Sequence, residues 1–392
     1  MFAFLLGARK FRAVIVAMLS LVWLTACGDG FTGATGGGPK IDTSKPVPVA
    51  LLVPSGSGNA ADDALASSLE NAARLAMSEL HGVKINLAVY PTGGNPQQAA
   101  TAASKAVAGG ARIILGPVYA QNAAAAGAAA PGVNVLAFSN NPAVAGGNVF
   151  VLGNTFDNTA RRLVRHAAAS GKGSILVVNG DNPAETLGRN AVLRAISQTP
   201  GAAQAGVQSF ELSQNGVINA VPGIVKAARS SGAQSVFLTS GTDGAIPFLA
   251  QLLPENGLTP GKVQYIGLQR WDVPDSARAL PGLQNGWFAM PDPGLQEQFR
   301  QRYLAAYGKS PHAIAGLAYD GIAAIGALVK AGKADALTSA ALTQGQGFIG
   351  VGGVFRLLPD GTTERGLAVA QIRNREIVVI DPAPRSFTGA GY

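Results

Sequence analysis

Short apolar runs alternate with amphipathic segments along most of this chain, beginning with "VPVALLV" at residues 47–53. Apolar residues then recur every three or four positions from Leu65 to Leu80, a spacing that predicts a helix. The predicted strands form two series, 47–53, 85–90, 111–118 and 133–139, then 174–180, 206–212, 235–240 and 263–268. Repeated strand–helix units predict parallel sheets with helices on both faces, so two series imply two such sheets.

Polar residues directly after the predicted strands are candidate ligand-binding groups. Ligands of parallel sheets lie beyond the carboxyl ends of the strands, where loops and helix N-termini gather. Most of these residues are small and suit hydrogen bonding across a cleft, although the same residue types also form ordinary turns and caps. The candidates are Ser55, Ser57, Tyr119, Ser139, Asn140, Asn141, Asp181, Ser240, Asp243 and Trp271.

The first 26 residues have the layout of a secretory signal peptide. A positive cluster at 9–12 precedes an apolar stretch at 13–24 that is short for a membrane-spanning helix. The stretch ends in "LTAC", which resembles the bacterial lipobox, and Cys27 is the only cysteine of the chain. The resemblance implies cleavage before Cys27 and acylation of its thiol, which would anchor the protein to a lipid bilayer. An ordinary signal peptide, or a membrane anchor with an incidental cysteine, is the alternative.

Composition agrees with export and excludes several classes of protein. Residues 27–46 are rich in Gly, Thr, Ser and Pro, which predicts a flexible tether. The formal net charge is +8, and three of the positive charges lie in the predicted signal peptide. The remaining basic residues are scattered without interleaved aromatic residues, so no nucleic-acid binding is expected. A single cysteine permits neither a disulfide framework nor a thiolate metal site.

The motifs of common enzymes are missing from the sequence. His81, His166 and His312 are far apart and share no metal-ligand spacing. There is no phosphate-binding loop, zinc-protease motif or nucleophile elbow, and "GVGG" at 350–353 lacks the spacing of a dinucleotide fingerprint. We therefore expect no catalytic residues, no metal and no cofactor, in a protein that is not an enzyme.

Several segments in order carry a resemblance to a known family. "VPVALLVPSGSG", "ARIILGPVYA", "VNVLAFSNNPAV", "GLAYDGIAAI" and "GFIGVGGVFRLLPDGTTERGLAVAQI" resemble the type I periplasmic binding proteins of the leucine/isoleucine/valine-binding group. This resemblance covers about 47–381. "ARIILGPVYA", "VLAFSNN" and "AGGNVFVLG" are also similar to lipoproteins that activate penicillin-binding proteins, the peptidoglycan synthases.

The resemblance implies two Rossmann-like lobes that close by hinge bending. It implies chain crossings near 153–157, 272–285 and 343–348, and it places Asp320 on a helix near the hinge, bonded to backbone. The implied segments are lobe 1 at 47–153 plus 286–343, lobe 2 at 157–272 plus 348–381, and a C-terminal tail at 382–392.

Amino-acid-binding members of this group hold a ligand carboxylate and a ligand ammonium group, and the chain keeps part of that arrangement. The loop at 116–120 has no Ser or Thr, whereas Ser139 is retained in the next loop. Leu187-Gly188 replaces the family's Tyr-Gly, and Asp181 and Asp243 are the candidate partners of an ammonium. Since an unpaired buried charge is costly, these departures argue against an amino-acid site.

Two functions follow from the sequence. The first is a lipid-anchored periplasmic regulator that activates a penicillin-binding protein in peptidoglycan synthesis, with bulky Tyr119, Leu187 and Trp271 filling the cleft mouth. The alternative is the solute-binding component of an ABC importer, which would bind an amino acid or related small polar ligand and dock on an ABC permease. Gly28, directly after Cys27, favours the outer membrane over the inner membrane.

Overall fold

The computed structural model describes residues 37–387, where the alternating apolar and amphipathic segments form two α/β lobes. The predicted signal peptide at 1–26 and the predicted lipidation site, Cys27, lie outside the described residues. Within the described part, none of the helices combines the length and the apolar composition that crossing a bilayer requires.

Lobe 1 is built on the first series of apolar runs. Its elements are β1 (Val47–Val53), α1 (Ala60–Ser78), β2 (Ile85–Pro91), α2 (Pro96–Ala108), β3 (Ile113–Leu115), α3 (Ala120–Ala129), β4 (Val135–Ala137) and β5 (Val149–Val151). The strands are parallel in the order β2-β1-β3-β4-β5. Asn95 caps α2 by accepting from the Gln98 N–H, and Pro96 opens the helix, as the sequence predicted. The chain turns at a short 3-10 helix, Pro142–Val144, between β4 and β5.

One face of the lobe 1 sheet is covered by a layer of alanines on α2 and α3. The layer consists of Ala99, Ala102, Ala103, Ala106, Ala123 and Ala126, all buried. At Gly127 in α3, a Cβ atom would lie only 2.3 Å from Cγ2 of Val149 on β5. These small residues let the two helices lie close to the sheet.

Lobe 2 is built on the second series. Its elements are α4 (Phe156–Ala169), β6 (Ser174–Gly180), α5 (Pro183–Gln198), β7 (Ala203–Phe210), α6 (Gln214–Ser230), β8 (Ser235–Leu238), α7 (Ile246–Glu255), β9 (Gln264–Gly267) and β10 (Trp287–Met290). The strands are parallel in the order β10-β9-β8-β6-β7. Two 3-10 helices, Asp275–Ala279 and Pro281–Leu283, link β9 to β10. A hydrophobic core lies on each face of this sheet.

The chain then returns to lobe 1 and finally to lobe 2. The returning elements are α8 (Pro293–Tyr307), α9 (Gly316–Lys330), α10 (Ser339–Leu342), β11 (Phe348–Gly350), β12 (Gly353–Leu357), β13 (Thr363–Arg365), β14 (Ala368–Arg373) and β15 (Glu376–Asp381). Strands β11-β12-β13 form a small antiparallel sheet. β14 pairs antiparallel with β10, and β15 with β14, which completes the lobe 2 sheet.

The three passages between the lobes differ in part from the expected positions. The first lies between β5 and α4, within two residues of the predicted 153–157. The second follows β10, at 291–292 rather than 272–285, because the short buried strand β10 pairs with β9 and β14. The third lies between β13 and β14, at 366–367 rather than 343–348, because the side chains of β11 and β12 join the core of lobe 1.

Both ends of the described chain pack against the lobes. Ile41, in the predicted tether, is 8% exposed, and its N–H donates to the Ala334 carbonyl at 2.8 Å. Asn134 Nδ2 donates to the Gly37 carbonyl at 2.7 Å. At the other end, Phe387 is buried. Residues 37–46 and 382–387 therefore belong to the folded body, because each segment supplies an apolar side chain to it.

Candidate functional site

A cavity of about 780 Å³ lies between the lobes, at the carboxyl ends of strands from both sheets. This volume is in the range of small-molecule sites. Most of its wall is apolar. The apolar lining residues include Val118, Phe138, Phe156, Leu268, Ala289, Met290, Ile314, Leu317, Val351, Val354 and Leu367. The polar lining residues are Tyr119, Ser139, Asn140, Asn141, Asn154, Thr159, Gln269, Arg270, Gln296, Asp320 and Arg365.

Four of the predicted site residues line this cavity, and all come from lobe 1. Ser139, Asn140 and Asn141 follow β4, where the Ser139 hydroxyl accepts from the Asn141 N–H at 3.1 Å. This turn leaves the hydroxyl hydrogen of Ser139 available to donate. Asn141 Oδ1 accepts from the Ala143 N–H at 3.0 Å, which fixes the amide.

The fourth, Tyr119, is the N-cap residue of α3 and is 39% exposed at the cavity wall. Its hydroxyl donates to Oδ1 of buried Asp62 on α1, and this hydrogen bond raises the pKa of Tyr119. The hydrogen bond to Asp62 holds the ring of Tyr119 in place. Among the described residues, no side chain caps the N-terminus of α3, so the first-turn N–H groups beside the cavity keep their donor capacity.

A buried ion pair lies in the cavity wall at the hinge. Arg365, at the end of β13, donates from Nη1 to Asp320 Oδ2 at 2.9 Å, and Asp320 Oδ1 accepts from the Val351 N–H at 2.8 Å. Asp320 is 1% exposed and the Arg365 side chain 10%. Burial raises the pKa of Asp320, and the Arg365 charge opposes that shift. Asp320 thus lies on α9 and binds backbone at the hinge, as the family resemblance implied.

Arg365 also connects the two lobes. Its Nε donates to the Leu152 carbonyl in the first passage at 2.9 Å, and its backbone N–H donates to Asn158 Oδ1 on α4 at 3.0 Å. Its guanidinium lies 4.9 Å from the centre of the Phe355 ring. Nη2 is buried without a hydrogen-bond partner among residues 37–387.

Lobe 2 contributes two polar residues in the loop after β9, Gln269 and Arg270. Gln269 donates from Nε2 to the Thr239 carbonyl at 3.2 Å. Arg270 forms a two-pronged contact with Asp272, in which Nε donates to Oδ1 at 2.8 Å. The positive charge of Arg270 is therefore balanced beside the cavity.

Five other predicted site residues lie outside the cavity lining. Ser55 and Ser57 belong to the turn after β1, where the Ser57 hydroxyl accepts from the Asn59 N–H at 3.1 Å. Ser240 is buried, and its hydroxyl donates to Glu185 at 2.8 Å. Asp181 and Asp243 are exposed in the loops after β6 and β8.

Trp271 is the clearest departure from expectation. It is 0% exposed and packs in the lobe 2 core, with its ring centre 6.5 Å from that of Phe288. A Cβ atom at Gly267 would lie 2.3 Å from the indole, and one at Gly286 would lie 2.4 Å from it. These two glycines leave the space that Trp271 occupies, so the ring points away from the cleft. Leu187 is exposed on α5, outside the cavity lining.

The polar groups near the hinge were missed as site residues. Arg365 and Asp320 are 45 positions apart and meet only because β13 lies beside α9. Gln269 and Arg270 could have been predicted as site residues, because both directly follow a predicted strand. Within residues 37–387, no group of three or more His, Cys, Asp or Glu side chains is arranged to hold a metal ion.

The fold and the interlobe cavity define a two-lobed binding protein, and comparison with known sequences gives its family. A model of the family described as "Periplasmic binding protein" matches residues 46–376. The chain belongs to this family, whose fold is that of binding proteins. None of the curated proteins compared with the chain matches it in sequence.

Solved structures share the fold. A putative branched-chain amino acid ABC transporter protein from Rhodospirillum rubrum is 18% identical, with a TM-score of 0.71 over 86% of this chain and 100% of that chain. An ABC transporter substrate-binding protein from Desulfitobacterium hafniense, in complex with Leu, is 16% identical, with a TM-score of 0.61 over 86% and 100%. A solute-binding protein from Rhodopseudomonas palustris BisB5, in complex with 3,4-dihydroxybenzoic acid, is 18% identical, with a TM-score of 0.57 over 86% and 96%.

Proposed function

We propose that this protein is the solute-binding component of an ABC importer and binds a small organic ligand between its lobes. The observation that carries the proposal is the open cavity of about 780 Å³ at the carboxyl ends of both sheets. Three helices, α3, α4 and α9, begin at its wall, and helix N-termini favour anionic ligand groups. The family and the transporter names of the structural neighbours support the same function.

These observations support the importer function better than activation of a penicillin-binding protein, which was the first expectation. That expectation came from the motif similarity to the activators and from the incomplete amino-acid clamp, and it included Tyr119, Leu187 and Trp271 filling the cleft mouth. Of these three residues, only Tyr119 lines the cavity. Trp271 is instead in the lobe 2 core, and Leu187 lies outside the lining. The space between the lobes is therefore left for a ligand.

The same proposal includes a location and a partner. A protein of this family that is exported by means of a signal peptide would act in the periplasm, held to a membrane by acylated Cys27. Its partner would be an ABC permease. Replacing Cys27 by Ser should release the protein from the membrane fraction in a detergent-free wash, and retention of the unprocessed variant would contradict lipid anchoring.

Ligand binding is tested by a thermal-shift screen of the full-length protein against amino acids, organic acids and small peptides. A ligand at one hundred times its dissociation constant should stabilise the protein by about 2.7 kcal/mol. Ala313→Trp should abolish the shift because Ala313 is an exposed residue of the cavity wall.

Ala331→Trp is the matched control, since Ala331 is exposed at the opposite end of α9, roughly 20 Å away by helix length. Saturable binding that both variants retain would place the ligand outside the cavity. A screen without any saturable ligand would contradict the proposed function.

A further inference from the structure

The cavity wall has more positively charged than negatively charged side chains. Its lining residues include two guanidinium groups, Arg270 and Arg365, and one carboxylate, Asp320. A zwitterionic amino acid needs a negative or strongly accepting partner for its ammonium group, because a buried charge without a partner is costly. Which acids remain available therefore decides which ligands fit.

Asp320 is already committed within the protein. Oδ2 accepts from Arg365 and Oδ1 accepts from the Val351 N–H, at 2.9 and 2.8 Å. The carboxylate is also nearly inaccessible, at 1% exposure. An ammonium group would have to displace the hinge ion pair to reach it.

The other acids around the cleft are outside the lining and mostly engaged. Asp62 accepts the Tyr119 hydroxyl, and Asp272 pairs with Arg270. Glu185 accepts from the Gly180 N–H and from the hydroxyls of two neighbouring residues after β8. Asp181 and Asp243 are exposed to solvent.

Gln269 lines the cavity in the loop after β9, a position from which an acid would face a ligand. Its Nε2 is held by the Thr239 carbonyl, so its oxygen is a neutral acceptor. A site whose only partners for an ammonium group are neutral discriminates against ligands that carry an ammonium group. The carboxylate of Asp243 and the amide of Gln269 both lie close to Gly241.

Donors for a carboxylate are, in contrast, plentiful. The uncapped first turn of the ten-residue helix α3 and the Ser139 hydroxyl lie in the wall. The unpartnered Nη2 of Arg365 is itself buried, so a ligand in the cavity would not reach it. Apolar side chains such as Phe138 and Leu317 would contact the rest of the ligand.

From this set of donors and engaged acids we propose that the ligand is a monocarboxylate with an aliphatic or aromatic body and without an ammonium group. The proposal rests on the solute-binding function and narrows its substrate class. It predicts that removing the amino group of an amino acid improves binding, because the carboxylate is retained and an unpaired cation is avoided.

Paired ligands test this by calorimetry on the full-length protein. Leucine is compared with 4-methylpentanoate, and phenylalanine with 3-phenylpropanoate, so that each pair differs only in the ammonium group. The amino-free member should bind at least tenfold more tightly, the effect of about one lost charged hydrogen bond. Equal or tighter binding of the amino acids would overturn the ligand class while supporting solute binding. If no solute of any class binds, the proposed function itself fails.

A substitution makes the test specific to the cavity. Gln269→Glu places a carboxylate at the end of β9 and should shift the affinity ratio toward the amino acids by about tenfold. Loss of the Gln269 donor affects both members of a pair equally, so the ratio isolates the ammonium contact. Gln214→Glu adds the same charge to an exposed position of lobe 2 and should leave the ratio unchanged.

Asp243→Asn addresses the remaining acid. We expect wild-type ratios in this variant, because Asp243 lies outside the lining. An amino-acid preference in the wild type that disappears in Asp243→Asn would overturn the inference and make Asp243 the ammonium partner.

Discussion

Arg365→Met should destabilise the protein strongly at neutral pH and much less in acid. The substitution keeps an unbranched side chain near Phe355 but removes the guanidinium from the buried carboxylate of Asp320. Breaking a buried ion pair by removing one partner typically costs about 3–5 kcal/mol, because the other charge is left uncompensated. With both side chains at least nine-tenths buried, solvent screening offers little relief.

The pH dependence follows from the direction of the Asp320 pKa. Burial raises this pKa above 3.8 in the folded wild type, and Arg365 opposes the rise, so the variant's pKa should be higher still. A carboxyl group with a raised folded pKa favours the fold below its unfolded pKa, and that stability is lost as pH rises through the folded pKa. Once Asp320 is protonated in acid it needs no cation, and the loss of the Leu152 hydrogen bond should then cost only about 1 kcal/mol.

The assay is urea unfolding of the full-length protein at pH 7 and pH 4, with the free energy of unfolding compared between wild type and variant. Arg112→Met is the matched control, since Arg112 is exposed and should change stability by no more than about 0.5 kcal/mol. A penalty of Arg365→Met that is below about 1 kcal/mol at pH 7, or equal at both pH values, would refute the reasoning.

Three further predictions concern other parts of the fold. Gly282→Ala should cost about 3 kcal/mol in chemical unfolding, because its Cβ would lie 1.7 Å from a carbonyl oxygen of α7. Gly132→Ala, with open space around it, should be nearly neutral, and equal effects would contradict the steric argument. Ile41→Ala should cost about 2–4 kcal/mol and lower the melting temperature, whereas no change would mean that the first described segment adds nothing to the core. Asp381→Asn should cost up to about 1 kcal/mol at pH 7, discounted because the group is half-exposed. Partial burial acts to raise the pKa of Asp381, but Arg162 lowers it below 3.8, so its contribution is present above that pH and is lost as pH falls further. A melting-temperature difference that does not shrink as pH falls below 3.8 would contradict this assignment.

The two series of strands and helices could be predicted from the sequence because apolar periodicity is a local signal. Asn95 and Pro96 marked the start of α2 through the same kind of local chemistry. The family resemblance added the two lobes, and the family match confirms it. The periodicity could not predict the pairing of a short strand. β10 has only four residues, and tertiary packing determines its pairing with β9 and β14.

Only the lobe 1 side of the candidate site was predicted from the sequence. The loop after β4 lines the cavity, with Ser139, Asn140 and Asn141, because the end of a parallel strand fixes the position of the residues that follow it. Trp271 also follows a strand, but its side chain packs into the lobe 2 core, in the space that two glycines leave. Arg365 could not be predicted as a site residue from the sequence, because its position in the cavity wall depends on how the third passage between the lobes is folded.

The alanine layer between α2, α3 and the lobe 1 sheet has a consequence for sequence tolerance. Alanine has no side-chain rotamers to lose, so these helices dock without the entropy penalty that longer side chains carry. In exchange, the spacing of helix and sheet is set by methyl groups, and a leucine at any of these sites would force the helix outward. Substitutions that are mild in an ordinary core are therefore severe in this layer, and this flank of lobe 1 accepts smaller residues more readily than larger ones.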